Sequence, residues 1–220
     1  MPLLLLIRHG DNDHLQQGRM AGRLPGVHLN EHGRAQAAEL VRSLADVPIK
    51  AIYSSLLERA VETAAPLARA KGLEIQIRPG LLETDVGDWQ GKSYKQLRCR
   101  KSWKTLEDTP SLARFPGGES ILEQQTRVVN EIRNILSAHQ PKDILALVSH
   151  ADPIKLAVAH YLGLPLDNFQ RLEIETGSVT VLALGKMGAR LLILNLKPPF
   201  VAGKYIPVLA CQGNKIPPPG

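Results

Sequence analysis

The sequence predicts an α/β fold: a three-layer sandwich with a mostly parallel central sheet flanked by helices, plus a small rim insertion. Three observations lead there. Short apolar, β-prone runs alternate with stretches of helical periodicity along most of the chain. Two of those runs, Leu3 to Ile7 and Ile144 to Ser149, are continuous rather than alternating, as strands covered on both faces are. The length of 220 residues, with 44% hydrophobic and 22% charged residues, suits one domain carrying an insertion and a tail.

The run from Leu3 to His9 ends in Gly10-Asp11-Asn12, a buried strand followed by a loop. Asn30 is placed as the N-cap of a helix reaching Ala45, with Ala37, Val41 and Leu44 on one stripe and Pro48 at the exit. Ala51 to Ser54 is a second strand. Leu56 to Ala70 is a second helix stopped by Gly72, and Pro66 inside it predicts a kink or an early break. Leu73 to Ile77 alternates apolar and polar residues as a third strand, closed by Pro79-Gly80.

From Gly87 to Gly118 the periodicity blurs. A short helix is expected from Ser93 to Leu106, with loops at Pro110 and Pro116-Gly117-Gly118, so residues 88–118 are read as the insertion. Glu119 to His139 is a long amphipathic helix, Ile144 to Ser149 a strand, and Asp152 to Leu162 a helix. Leu172 to Ile174, Val179 to Leu184 and Leu191 to Leu196 are expected strands, the last two candidates for a pair around Gly185 to Gly188. The domain is thus 1–196. The tail, 197–220, holds six of the sixteen prolines and three lysines with no acid, a composition expected to be extended or loosely packed.

Twenty-seven basic against twenty-one acidic residues give a net charge of +6, so anions are favoured neighbours. Nine aromatics provide few stacking platforms, which disfavours nucleic acid as a partner. Cys99 and Cys211 have no metal or disulfide spacing, and the N-terminal apolar run is too short for a signal peptide or a membrane span; a cytoplasmic chain is expected. His28 and His32 have i,i+4 spacing but lack a third ligand, so no metal and no cofactor are expected. A homodimer is left open.

Arg8-His9-Gly10 closes the first buried strand, and Ser149-His150 closes another, followed by a helix start at Ala151-Asp152-Pro153. Strand carboxyl ends face the ligand crevice of an α/β sheet, so two histidines reach one edge. Ser54-Ser55-Leu56-Leu57-Glu58-Arg59 adds an arginine in the first turn of a helix.

These three stretches resemble the histidine phosphatase superfamily, the phosphoglycerate mutase-like proteins. So do Leu82-Glu83-Thr84-Asp85-Val86-Gly87-Asp88-Trp89-Gln90-Gly91 and Pro116-Gly117-Gly118-Glu119-Ser120, in the same order across residues 3–185. The resemblance implies a nucleophilic His9, phosphate contacts from Arg8, Arg59 and His150, and Glu83 as proton donor and later base. Asn12 stands where the family commonly has threonine, and its amide can donate to a phosphate oxygen. The implied activity is a metal-independent phosphomonoesterase of the histidine acid phosphatase type, acting on a small phosphorylated metabolite through phosphohistidine. Mutases of this fold share Glu-Arg-x-Tyr-Gly-x-Leu, whereas Thr84 and Val86 stand here; mutase chemistry is the alternative. A non-catalytic phosphate-binding scaffold is a further one, suggested by six basic residues from Lys92 to Lys104.

Overall fold

The computed structural model describes residues 2–185 and 188–205. Six strands form one sheet: β1 (Leu3–Arg8), β2 (Ile49–Ser54), β3 (Ile75–Ile77), β4 (Ile144–Ser149), β5 (Val179–Gly185) and β6 (Gly188–Leu196). Their order is β3-β2-β4-β1-β5-β6. The first four in that order run parallel, while β5 is antiparallel to β1 and β6 to β5. The expected mostly parallel α/β sheet is therefore present.

Alternation along β1 serves both faces. Leu3, Leu5 and Ile7 pack with Leu40, Ala60, Ala64 and Leu67, from α2 (Glu31–Ser43), which follows the single-turn α1 (Asp13–Gln16), and α3 (Glu58–Lys71). Leu4 and Leu6 face the opposite layer with Val128, Ile132, Leu156 and Ala157. That layer follows α4 (Tyr94–Arg98) and α5 (Lys101–Asp108), and consists of α6 (Ile121–Ser137) and α7 (Ala151–Leu162). Helix starts follow their local chemistry: Asn30 Oδ1 accepts from Gly33 N, and Ser120 with Glu123 forms a capping box opening α6.

Several expectations are corrected. Leu172 to Ile174 is not a strand; it is irregular chain whose Ile174 carbonyl accepts from Arg8 rather than from a neighbouring strand. The helix expected from Ser93 to Leu106 is two helices broken at Cys99 and Arg100. Pro66 does not end α3: the helix continues to Lys71, stopping at Gly72 with φ 63°. The third strand is shorter than expected, starting at Ile75 rather than Leu73.

In the tail, Phe200 and Ala202 are buried against the α2–α3 layer, and Phe200 N donates to Ser43 Oγ at 3.1 Å, so this part is not loosely packed. A short helix, α8 (Ala202–Tyr205), follows. The remainder of the tail, 206–220, lies outside the described residues. No helix among the described residues is long and apolar enough to cross a membrane.

Candidate active site

Neighbouring strands deliver the two histidines. β1 and β4 are paired in register with Arg8 opposite Ser149, so His9 and His150 emerge side by side. Their ring centroids lie 5.0 Å apart at 61°. The loop after His9 presses onto the start of α2, and Thr63 on α3 ties it down by accepting from Gly10 N at 2.9 Å.

The state of His9 follows from its partners. Nδ1 lies 2.7 Å from the Gly10 carbonyl, which only accepts, so Nδ1 carries the proton. Nε2 faces Arg59 Nε at 3.3 Å, and a guanidinium only donates. Both contacts demand the same neutral tautomer, with its lone pair on Nε2. Burial, then the positive charges of Arg59 and Arg8, hold the His9 pKa well below its ordinary 6.5.

Cationic donors surround that lone pair. Arg59 is 1% exposed, donates Nη2–H to the Gly22 carbonyl at 2.8 Å and leaves Nη1 without a partner. Arg8 is held by the Ile174 carbonyl at 2.7 Å, with Nε unpartnered. Asn12 accepts from Leu15 N through Oδ1, and its Nδ2 is buried and unused. Each of these groups normally finds a partner when buried, so their clustering marks a place for an acceptor-rich guest.

His150 is fully buried beside this cluster rather than part of the cavity wall. Ser55 Oγ, which accepts from Leu57 N, shares a hydrogen bond with His150 Nε2 at 2.8 Å. His150 Nδ1 has no hydrogen-bond partner and lies 3.9 Å from Glu83 Oε2. Burial, Arg59 and His9 keep this ring well below 6.5 too.

Glu83 shows the opposite shift. Burial first, then the charge of Asp152, raises its carboxyl above 4.5, against the pull of Arg59 and the Thr84 N–H. Its backbone is clamped from behind. Arg23 Nε donates to the Glu83 carbonyl at 2.8 Å, and Arg127 donates to the carbonyls of Gly80 and Leu82. Glu119 accepts from both guanidiniums, at 3.1 and 2.6 Å, and from Asp85 N at 2.9 Å. The two sequence blocks meet closely: a β-carbon on Gly118 would lie 2.1 Å from the Asp85 carbonyl.

Arg8, His9, Asn12, Arg59 and Glu83 line one cavity of about 640 Å³. Five of the six expected residues are therefore in its wall, with His150 behind it. Sequence reading missed Asp152, whose carboxyl lines the same cavity and is raised by burial. Its place in the first turn after His150 was the available signal. It also passed over Glu119 and Arg127 as positioning residues, while Tyr94 and Trp103, from the basic stretch of the insertion, line the cavity. His28 and His32 instead pair with Glu62 and Asp11, and no group of three potential ligands occurs among the described residues.

Comparison with known proteins follows the same lines. The chain is 28% identical over 198 residues to phosphoserine phosphatase 1 of Hydrogenobacter thermophilus, covering 89% of this chain and 93% of that protein. It is 32% identical over 181 residues to glucosyl-3-phosphoglycerate phosphatase of Mycobacterium tuberculosis, covering 77% and 79%. The crystal structure of the alpha-ribazole phosphatase from Shigella flexneri matches with a TM-score of 0.79 and 27% identity, covering 88% of this chain and 96% of that one. The sequence profile of the histidine phosphatase superfamily (branch 1) matches residues 4–197, and with the paired histidines at the end of a shared sheet this chain belongs to that superfamily.

Proposed function

We propose that the protein is a metal-independent phosphomonoesterase that hydrolyses a small phosphorylated metabolite through a phosphohistidine. The observation carrying this reading is the His9 tautomer: a buried, neutral imidazole with its lone pair on Nε2, beside an unpaired guanidinium nitrogen of Arg59. Such a group is a nucleophile in a setting built for oxyanions.

A phosphoryl group takes the unused donors of Arg8, Arg59 and Asn12, with His150 behind them, and Arg59 Nε transfers from His9 to a phosphate oxygen. His9 Nε2 attacks phosphorus in line; the P–N bond forms as the ester P–O bond breaks. The Gly10 carbonyl, on Nδ1–H, stabilises the positive charge gained by the ring. Glu83, whose raised pKa favours the protonated form, gives its proton to the leaving oxygen. The resulting carboxylate then takes a proton from water, which attacks the phosphohistidine and releases inorganic phosphate. The guanidiniums supply the positive charge that a metal provides elsewhere, and they repel cations from the same space.

The relatives named for hydrolysis, rather than for isomerisation, favour a phosphatase over a mutase, as does Thr84-Asp85-Val86 after Glu83. The test is acid-labile phosphoenzyme trapping in excess chelator, with wild type and His9→Ala, over a panel of phosphomonoesters including 3-phosphoglycerate. Phosphate release and trapped phosphoenzyme, both lost in the variant, are expected. Isomer interconversion without net phosphate release, or chelator-sensitive turnover, overturns the reading.

A further inference from the structure

The floor of the cavity is matched to a phosphate, but its roof is built for something else. α4 turns Tyr94 and Arg98 into the cavity, four residues apart, and α5 turns in Trp103 and Leu106, three apart. With Phe115, these aromatic and aliphatic side chains make an apolar wall between the floor and the mouth. A volume of about 640 Å³ leaves most of the cavity to the organic part of the substrate.

At the mouth stands Arg98. It is exposed, and among the described residues no carboxylate pairs with it and no hydrogen bond holds it, whereas Arg23 and Arg127 are bound to Glu119. Its setting is cationic: Lys92, Lys95, Arg100, Lys101 and Lys104 share the segment, and Lys104 is neutralised by Asp108. Glu107 is the one acid of this roof facing the cavity, too few to cancel that field.

We propose that Arg98 is a specificity-determining residue that binds a second oxyanion, carboxylate or phosphate, at the far end of the substrate. The carbon skeleton between the two anions lies against Trp103, Leu106 and Phe115. This inference rests on the phosphatase reading of the floor, and adds to it the class of substrate: a phosphomonoester with a bulky, partly apolar body and a distal anion.

The test uses three esters with closely similar leaving groups: 4-propylphenyl phosphate, its analogue ending in a carboxylate, 3-(4-phosphonooxyphenyl)propanoate, and the analogue ending in a phosphonate. In the wild type at low salt, kcat/KM for at least one anionic ester is expected to exceed that of the neutral one by about tenfold or more, the scale of a charge-assisted hydrogen bond. Which analogue gains more distinguishes carboxylate from phosphate. Arg98→Gln brings the ratio close to one through KM, and Arg98→Lys keeps part of it. Equal use of all three esters by the wild type, or a ratio that survives Arg98→Gln, overturns the inference while leaving the phosphatase reading standing. Absence of both phosphate release and phosphoenzyme with every ester overturns both.

Discussion

Between Gly10 and Gly33 there is no room for a side chain: a β-carbon on Gly10 would stand 2.6 Å from the Gly33 carbonyl oxygen. The reverse approach is closer still, since a β-carbon on Gly33 would lie 2.1 Å from the Asp11 carbonyl. The loop bearing His9 is thus seated directly on the backbone at the start of α2. Glycine to alanine in a helix ordinarily stabilises by about 1 kcal/mol. Here Gly33→Ala is expected to destabilise by about 2 kcal/mol, because two main chains must part. Thermal unfolding reads the sign, and loss of phosphoenzyme from the folded variant reads the displacement of His9.

Glu119 is linked to the Glu83 backbone through Arg23 and Arg127 and does not line the cavity. Removing it leaves Arg23 and Arg127 without their shared carboxylate. Both are about a quarter exposed, so the cost falls below that of a fully buried pair, at about 2 kcal/mol. Glu119→Ala should also lower kcat by about tenfold through the shifted Glu83 backbone. Glu123→Gln is the control. Both Glu123 and its partner Arg114 are exposed, and the urea midpoint should stay essentially unchanged.

Activity should decline on the alkaline side as Glu83 ionises. In the proposed mechanism Glu83 serves the leaving group in its protonated form, and its pKa is raised above 4.5, so kcat is expected to fall as pH rises through that raised value. On the acid side the loss comes only when His9 takes a proton, well below 6.5. Glu83→Gln should flatten the alkaline limb while lowering kcat most for poor leaving groups. A pH–rate profile that keeps this limb in the variant would assign the limb to another group.

Stability carries its own pH signature. His9 in the folded chain ionises below its ordinary 6.5, so the unfolded chain takes up protons first as the solution is acidified. The folded state therefore loses stability as pH falls below about 6.5, by up to about 1 kcal/mol per such histidine by pH 5.5. Glu83 and Asp152 act in the opposite sense, their contribution favouring the fold at low pH and fading as pH rises through their raised values. Urea unfolding of wild type and His9→Gln at pH 7.5 and 5.5 isolates the histidine share: the variant should lose less.

Phe200 is 8% exposed against the α2–α3 layer. Phe200→Ala should cost about 3 kcal/mol, and Ser43→Ala, which removes the acceptor for its N–H, about 1 kcal/mol. Denaturant midpoints check both.

Local pattern made much of this protein legible. Leu3 to Ile7 and Ile144 to Ser149 read as buried strands, and their polar ends named Arg8, His9 and His150. The legible features were contiguous ones, resting on period and on strand ends. What stayed hidden depends on contacts between distant segments. Ile174 looked like strand because Leu172 and Ile174 alternate with Glu173 and Glu175, yet its carbonyl serves Arg8, 166 residues away. Glu119 looked like an ordinary helix-start acid, though Arg23 lies 96 residues before it. Trp103 and Leu106 fell inside the short helix expected from Ser93 to Leu106, and only the fold of the insertion makes them line the cavity.

β1 lies in the middle of the sheet, yet it is made before the other five strands described. Its partners, β4 and β5, begin at Ile144 and Val179. At a synthesis rate of about 5–20 residues per second, Leu3 to Ile7 waits on the order of ten seconds with both edges unpaired. An uncovered run of five aliphatic residues is a template for wrong pairing with other chains. The central placement that sets His9 beside His150 therefore gives the nascent chain a reason to be shielded by a chaperone until its second half has emerged.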